Sequence, residues 1–380
     1  MRYIVKEFDK PLLIFSADMN SSNSNLQIEK IYEENDAFFP LNLTVSNGGL
    51  ESWLKHRVIP KNRAYVDALL SKTGLSANRP LGIIAVCKGL SLNDCYWVDS
   101  ADNESSFAKV NLYDNRFSTI LASIAFTGYG SSVRSSLFSS PEFSTNGMLP
   151  KCWRRINGKI YLYKGGTSGF SNTGFEPYSE LYAYQIAKAM EINAIRYTLT
   201  KDLKKSLCSK CELFTSKDYS YMPIGQLVRK GNMEAIREYY QTLGQSFVDA
   251  LDDMIIFDAL ICNVDRHLGN FGVLVNNVTN QIEKPAPLFD HGNSLFSLGG
   301  LDLWNNETAF HEYVETLVPV AYDDFLDEAR KVMQLRHHKM LRQLLNFSFD
   351  RRASRYNLPT NRLAMIEREV QRRARILLDY

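Results

Sequence analysis

Leu260-Ile-Cys-Asn-Val-Asp-Arg-His-Leu-Gly-Asn-Phe-Gly-Val-Leu-Val275 is the stretch on which the fold turns. An apolar run of helical character, Met254 to Ile261, leads into it. A polar hexad follows, Asp265-Arg-His-Leu-Gly-Asn270, and a strand-like run, Phe271 to Val275, leaves it. A second acidic turn stands further on, Leu288-Phe-Asp-His-Gly292. A carboxylate, an amide five positions later and another carboxylate across a hairpin offer hard oxygen ligands of the kind that suit Mg²⁺ and phosphate. Asp265 is the candidate base or hydroxyl-orienting group. Asn270 and Asp290 are the candidate metal ligands. Gly269 and Gly292 are expected to let the backbone turn tightly beside them. Phe271–Val275 is expected to pair with Ala286–Phe289 in a hairpin that holds Asn270 and Asp290 on one side. Each residue also has a plainer reading. Asp265 beside Arg266 could be a surface ion pair, Asp290 a turn aspartate, and His267 reads best as a packed core histidine.

Upstream, Lys151-Cys-Trp-Arg-Arg-Ile156 and Lys159-Ile-Tyr-Leu-Tyr-Lys164 are strand-like and flank Asn157-Gly158, a hairpin signal. Alternation places Ile160, Leu162 and Lys164 on one face. A Gly/Ser-rich loop follows, then a helix from Pro177-Tyr-Ser179 bearing Glu180. Ile195–Thr200 is strand-like, and a hinge lies near Cys211–Thr215. In that order Lys164 reaches the α/β-phosphates of ATP and Glu180 steadies the lysine. Residues 117–147 are rich in Ser and Gly, which alone reads as a linker. Residues 1–125 read as a mixed α/β unit with no catalytic constellation, and Leu81–Val86 within it reads as a buried strand. Tyr322–Leu345 and Asn361–Leu378 read as amphipathic helices. Between Arg330 and Arg375 there are thirteen Lys/Arg against three acids, a solvated face or a surface for an acidic partner.

The 380 residues are 45% hydrophobic and 12% aromatic, enough for a large core. A formal net charge of +2 carries no global footprint for nucleic acid or an anionic membrane. No apolar run approaches the ~20 residues of a membrane span. The six cysteines have no disulfide-framework spacing, and a reducing cytoplasm is the expected home. Cys208-Ser-Lys-Cys211 lacks the second ligand pair a zinc site needs, so two ordinary thiols are expected.

Asn263-Val-Asp-Arg-His-Leu-Gly-Asn270 resembles the catalytic loop of the phosphatidylinositol-kinase-like superfamily, and Leu288-Phe-Asp-His-Gly292 its metal-binding turn. Within that superfamily the chain is most similar to HipA-like serine/threonine kinases, including the bacterial cell-translocating-kinase type. Ser139-Ser-Pro-Glu-Phe-Ser-Thr-Asn-Gly147 resembles their phosphate loop, Ile160–Lys164 the strand with the ATP lysine, and Tyr178-Ser-Glu180 the start of the helix with its glutamate. The resemblance covers roughly 125–345. It departs at His291, where Phe or Leu is usual, and across 1–125. It implies an α+β, two-lobed protein-kinase-like fold, with an N-terminal α/β subdomain (1–125), a β-rich small lobe (126–215) and a helical large lobe (216–380).

The implied activity is ATP- and Mg²⁺-dependent phosphorylation of Ser/Thr in a protein, with autophosphorylation at Ser139, Ser140 or Ser144. Asp265 is implied as catalytic, and Asn270 and Asp290 as Mg²⁺ ligands. Lys164 and Glu180 are implied at the ATP phosphates, with Ser139, Ser140, Thr145 and Gly147 in the loop covering them. Glu212 and Phe214 are implied near the adenine. An antitoxin or regulatory protein is an implied partner, and export without a standard signal peptide is an alternative to the cytoplasm. Two other readings stay open: a small-molecule or lipid kinase on the same scaffold, and a non-catalytic nucleotide-binding regulator that uses Arg372, Arg373 and Arg375 on nucleic acid.

Overall fold

The computed structural model describes residues 1–19, 25–133, 139–169, 172–201, 206–228 and 231–379. The polar run 20–24 and Ser135 and Ser136 of the Ser/Gly stretch lie outside the described residues. Two compact units are present. Unit 1 comprises Met1–Lys164, Leu213–Met222 and Leu274–Glu283; unit 2 comprises Gly165–Glu212, Pro223–Val273 and Lys284–Tyr380.

Unit 1 begins with β1 (Arg2–Glu7), β2 (Lys10–Ser16) and β3 (Gln27–Ile31), then α1 (Asn47–Lys55), α2 (Val66–Thr73) and α3 (Pro80–Cys87). After β4 (Tyr96–Ser100) come α4 (Phe107–Val110) and α5 (Thr119–Thr127). The four strands form an antiparallel sheet in the order β3-β2-β1-β4. One sheet face and the helices enclose a core around Leu12, Phe15, Leu50, Trp53, Leu69 and Ile84. Local signals start and stop these helices. The Ser46 hydroxyl accepts from the Gly49 amide at the head of α1. Gly74 ends α2 in the left-handed region, φ 73°.

Residues 81–86 are helical, not a strand. Pro80 sits at the first helical position, where its fixed φ and missing N–H cost nothing. A short apolar run has no period of its own that separates buried helix from buried strand.

The hairpin of β5 (Lys151–Ile156) and β6 (Lys159–Gly165) forms as the sequence indicates, with Lys151 opposite Lys164. Asn157 and Gly158 both have positive φ, 50° and 80°, as a type I′ turn demands. Ahead of it, residues 139–147 are anchored, which overturns the linker reading of the stretch there. Pro141–Phe143 is a buried 3₁₀ turn and Phe143 joins the unit 1 core. Arg63 donates to the carbonyls of Glu142, Thr145 and Lys151 and pairs with the buried Glu142 carboxylate at 3.2 Å. The other Glu142 oxygen accepts from the Trp153 amide at 2.9 Å.

Unit 2 opens with α6 (Glu176–Ala189), then β7 (Tyr197–Lys201) antiparallel to β8 (Leu207–Glu212). Cys208 and Cys211 are buried within β8, and all six cysteines are free thiols. After β9 (Tyr219–Pro223), which lies in unit 1 up to Met222, come α7 (Ile224–Leu227), α8 (Met233–Leu243) and α9 (Gln245–Ile261) of unit 2. Every residue of α9 from Met254 to Ile261 is buried, Asp258 included. Next are β10 (Gly272–Asn276), β11 (Gln281–Pro285), α10 (Glu307–Glu315), α11 (Phe325–Val332), α12 (Leu335–Arg342) and α13 (Thr360–Leu378). The expected single helix over 322–345 is two. Met333 is extended (ψ 136°), and Gln334 and His337 form a capping box that starts α12. Several cations of the basic C-terminal stretch are absorbed by packing. Arg373 is buried against Glu369 and the Ala259 carbonyl, Arg372 binds both Glu369 oxygens, and Arg375 donates to Leu345. Among the described residues no helix is long and apolar enough to cross a membrane.

β10 lies between β11 and β9; of the expected run 286–289, Ala286 donates to the Gly272 carbonyl at 3.0 Å, whereas Leu288 bridges to Ala194 instead. The turn between β10 and β11 closes early: Asn280 is left-handed (φ 54°) and its amide donates to Asn276 at 2.7 Å, so the return strand starts at Gln281. The tip of this hairpin belongs to unit 1 and is held there by two buried amides. Asn280 donates to the Ala37 and Phe39 carbonyls, each at 2.8 Å, and accepts from the Tyr96 hydroxyl at 3.3 Å. Asn277 donates to the Lys217 carbonyl and accepts from the Ser220 hydroxyl. Asn280→Ala leaves two part-buried carbonyls without their donor and puts a residue whose side chain cannot hydrogen-bond locally into left-handed backbone. The expected loss is about 3 kcal/mol, read as a lower urea midpoint at unchanged slope. Asn280→Gly relieves only the strain, so it should recover little; a Gly variant as stable as the parent would show that the amide contributes nothing.

Candidate functional site

The 258–270 and 288–294 segments of unit 2 are built around one side chain that sequence reasoning passed over. Cys262, left-handed at φ 49°, ends α9 and turns the chain into the hexad. The side chain that then enters the core is Arg266, 1% exposed, whereas His267 is exposed. The expectation of a packed His267 is therefore wrong, and so is the surface pairing of Asp265 with Arg266. Histidine at 267 would strand a ring in a position that faces solvent, while the long guanidinium at 266 reaches a carboxylate on α9.

All five guanidinium N–H groups have an acceptor. Nε and Nη2 form a fork on both oxygens of Asp258, at 2.8 and 2.9 Å. Nη1 donates to the carbonyls of Asn270 (3.2 Å) and Phe289 (2.6 Å). Nη2 also meets His291 Nδ1 at 3.0 Å, which makes Nδ1 the acceptor and puts the imidazole proton on Nε2. Burial pulls the Arg266 pKa down, but the charge of Asp258, its hydrogen bonds and then the charge of Asp290 more than offset this and hold it above its ordinary value. One buried cation thus ties the last turns of α9 to both the 265–270 hexad and the 288–292 turn. Lysine could not replace it, because an ammonium has three donors and no planar fork.

Asp265 is half-buried. Its Oδ2 accepts from Asn293 Nδ2 at 2.9 Å, and its amide donates to the Asn263 side chain. Asn270 is buried and its Nδ2 donates to the Asp265 carbonyl at 3.2 Å, which leaves the amide oxygen as the end able to face a cation. Asp290 is itself the left-handed residue of its turn, φ 58°, a conformation open to aspartate. Its amide donates to the Tyr197 hydroxyl at 3.1 Å. Burial, and then the charge of Glu180, push the Tyr197 phenol well above its usual range, so it stays a neutral acceptor here. The His291 amide donates to Glu180 Oε2 at 2.8 Å, and Ser179 donates to the Ser294 carbonyl. Helix α6 therefore braces the Asp290 turn as well as carrying Glu180. On the other flank, Gly225 N donates to the Leu268 carbonyl, and a Cβ at 225 would lie 2.9 Å from Leu268 Cβ. Only glycine lets α7 approach the hexad that closely.

Unit 2 thus brings Asp265, Asn270, Asp290 and Glu180 into one hydrogen-bonded framework. Glu212 is exposed at the end of β8. In unit 1, Lys164 is buried near the end of β6, and Phe214 packs edge-on against Tyr221. Ser139 donates to the Cys87 carbonyl, Ser140 and Ser144 are buried, and Thr145 accepts from the Trp153 indole at 2.9 Å. Gly147 has φ 90°, and a Cβ there would meet the Lys151 ammonium at 2.2 Å. Asp258, Arg266, His291 and Asn293 were missed. Asp258 did leave a signal, a lone acid inside an otherwise apolar helical run.

No family model matches the sequence, and no curated protein matches it. Among solved structures the chain is similar to HipA of a Shewanella oneidensis MR-1 toxin–antitoxin system, solved with HipB and its operator DNA. The TM-score is 0.54 at 13% identity, over 100% of this chain and 98% of that chain. The fold is HipA-like. A Helicobacter pylori proinflammatory kinase, CtkA, is also similar, with TM-score 0.46 and 16% identity over 60% of this chain and 93% of that one. The HipA-like fold spans the N-terminal residues as well, where the sequence carried no resemblance. It is mixed α and β with antiparallel sheets.

Proposed function

We propose that the chain is a kinase that uses ATP and Mg²⁺ to phosphorylate Ser or Thr of a protein, itself among its substrates. The observation that carries this reading is the Arg266 hub, which draws the hexad and the Asp290 turn onto one buried guanidinium. The donor set suits the metal. Among the described residues no group of three or more His, Cys, Asp or Glu is placed to hold an ion. Mg²⁺ asks for less than that, binding through one or two protein oxygens and completing its shell with water and phosphate. Asn270 and Asp290 would hold it, and when bound it would neutralise charge on the phosphates.

Asp265, aimed by Asn293, orients the acceptor hydroxyl and takes its proton. Lys164 is assigned to the α/β-phosphates, and Glu180 to the bracing of the Asp290 turn through the His291 amide. Residues 139–147, with Ser139, Ser140, Thr145 and Gly147, cover the phosphates, and Glu212 and Phe214 flank the adenine. The anchoring of 141–145 by Arg63 and Trp153 supports a shaped cover there rather than a slack tether. The HipA neighbour is solved with HipB, and a regulatory protein partner belongs to the same proposal.

The test is incubation of the full chain with Mg²⁺ and ATP, followed by intact-mass analysis and peptide mapping. A gain of phosphate on Ser or Thr is the expected result. No gain on the chain or on an added protein substrate mixture, with nucleotide demonstrably bound, would reduce the protein to a binder.

A further inference from the structure

Unit 1 contains a second feature of functional character, which shares one residue, Ser139, with the segment assigned to the phosphate cover. A cleft of about 900 Å³ opens between the end of α3, the end of α4 and the loop that follows α4. Its floor is aliphatic: Ala85, Val86, Val110 and Leu112. Its rim carries three cations, Lys88, Lys109 and Arg116. The carboxylates nearby are already engaged. Asp99 is buried, pairs with Lys88 and accepts from the Ser105 amide. Asp114 itself lines the cleft and forms an exposed pair with Lys217 at 2.9 Å. Lys109 and Arg116 are exposed and form no ion pair among the described residues. With Lys88 set against Asp99 and Lys217 against Asp114, the cations left over at the rim are Lys109 and Arg116.

The wall that carries Arg116 is held rigid from behind. Arg155 reaches up from β5 and donates to the carbonyls of Leu112 and Asn115 at 3.0 and 3.1 Å. Asn115 in turn donates to the carbonyls of Ala108 and Asn111 at 3.1 and 2.9 Å, which binds the loop to α4. The cradle is thus built before any ligand arrives, which lowers the ordering cost of binding. At the opposite edge, Ser139 lines the cleft and donates to the Cys87 carbonyl.

We infer that this cleft binds an acidic peptide segment of a protein partner, its carboxylates or a phosphorylated side chain on Lys109 and Arg116 and an aliphatic side chain on the Val86–Val110 floor. Charge complementarity selects the sign of the ligand. The lining selects its class: among the described residues the apolar groups of the cleft are all aliphatic, and Leu, Ile or Val would be covered well against them.

The probe is an arrayed degenerate peptide library, with Glu and phosphoserine positions, read with the labelled full-length chain. Acidic peptides that also carry an aliphatic residue should be enriched over neutral ones. Their signal should fall as salt rises from ~0.05 to ~0.5 M. K109E/R116E should weaken the best peptide roughly tenfold or more, the equivalent of about 1.4 kcal/mol. Both residues are exposed, so circular dichroism and the thermal midpoint of the variant should match the parent. The inference is overturned if neutral peptides bind as well as acidic ones, or if K109E/R116E binds the best peptide unchanged. It is equally overturned if inorganic phosphate or AMP binds at Lys109 and Arg116 while no peptide does. None of these results touches the kinase reading, since the readout is binding in the absence of ATP.

Discussion

Asp265→Asn should abolish phosphate transfer while leaving the protein folded. The substitution keeps an oxygen that can accept from Asn293 Nδ2 and keeps the side-chain volume, so the hexad should hold its shape. On the proposed mechanism, what it removes is the group that takes the hydroxyl proton and the negative charge that orients the attack. General-base contributions of this kind are worth ~10²–10⁴-fold in rate. Intact-mass analysis after Mg²⁺ and ATP should therefore show phosphate on the parent and none on the variant over the same interval. Near-equal thermal midpoints would locate the loss in the chemistry. A variant that gains phosphate at the parental rate would remove Asp265 from the mechanism and leave the hexad as an ordinary turn.

Arg266→Met should have the largest effect on stability. The change leaves Asp258 ionised in the interior with no cation, and strips donors from the Asn270 and Phe289 carbonyls. Removing one partner of a buried pair costs ~3–5 kcal/mol, and denaturant unfolding should read a loss of that size. The double variant Asp258→Leu/Arg266→Met deletes both charges. It should recover a large part of the stability, because an apolar pair avoids the desolvation cost of two ions. It should not recover activity, since the two carbonyls that Arg266 held remain without their donors. If the double variant transfers phosphate like the parent, the guanidinium is a structural filler and does not position the ligands.

Much of the site was readable in the order of residue types. The hexad, the Asp290 turn, the hairpin ending in Lys164 and the helix bearing Glu180 each leave a short-range mark: a turn dipeptide, a helical spacing, a carboxylate and an amide at fixed separation. The elements that hold the site together leave none. Asp258 and Arg266 meet because α9 ends in a left-handed residue, and nothing local to Arg266 says which way it points. Arg63 and Glu142 are 79 positions apart, so their pairing, which turns a Ser/Gly stretch into a pinned segment, has no local signature. Residues 81–86 illustrate the opposite limit. Their composition is strongly marked, but apolar on every side is what a buried strand and a buried helix have in common. Pro80 was the arbiter, and its value as a helix-opening residue outweighed the β-rich look of Leu-Gly-Ile-Ile-Ala-Val.

The hairpin tip clamped by Asn277 and Asn280 has a consequence for inheritance. The chain passes between its two units at five places, after residues 164, 212, 222, 273 and 283. Residues 274–283 fold with the N-terminal unit although they are encoded deep in the second half of the sequence. A recombination event that swapped the first 125 residues for another module would deliver strands and helices but not the bed that Ala37, Phe39 and Tyr96 provide for Asn280. The new module would have to recreate three acceptors and donors at once. Such a chain is expected to diversify by substitution within its surfaces more readily than by exchange of its parts, so its N-terminal half and its β10–β11 hairpin are expected to descend together.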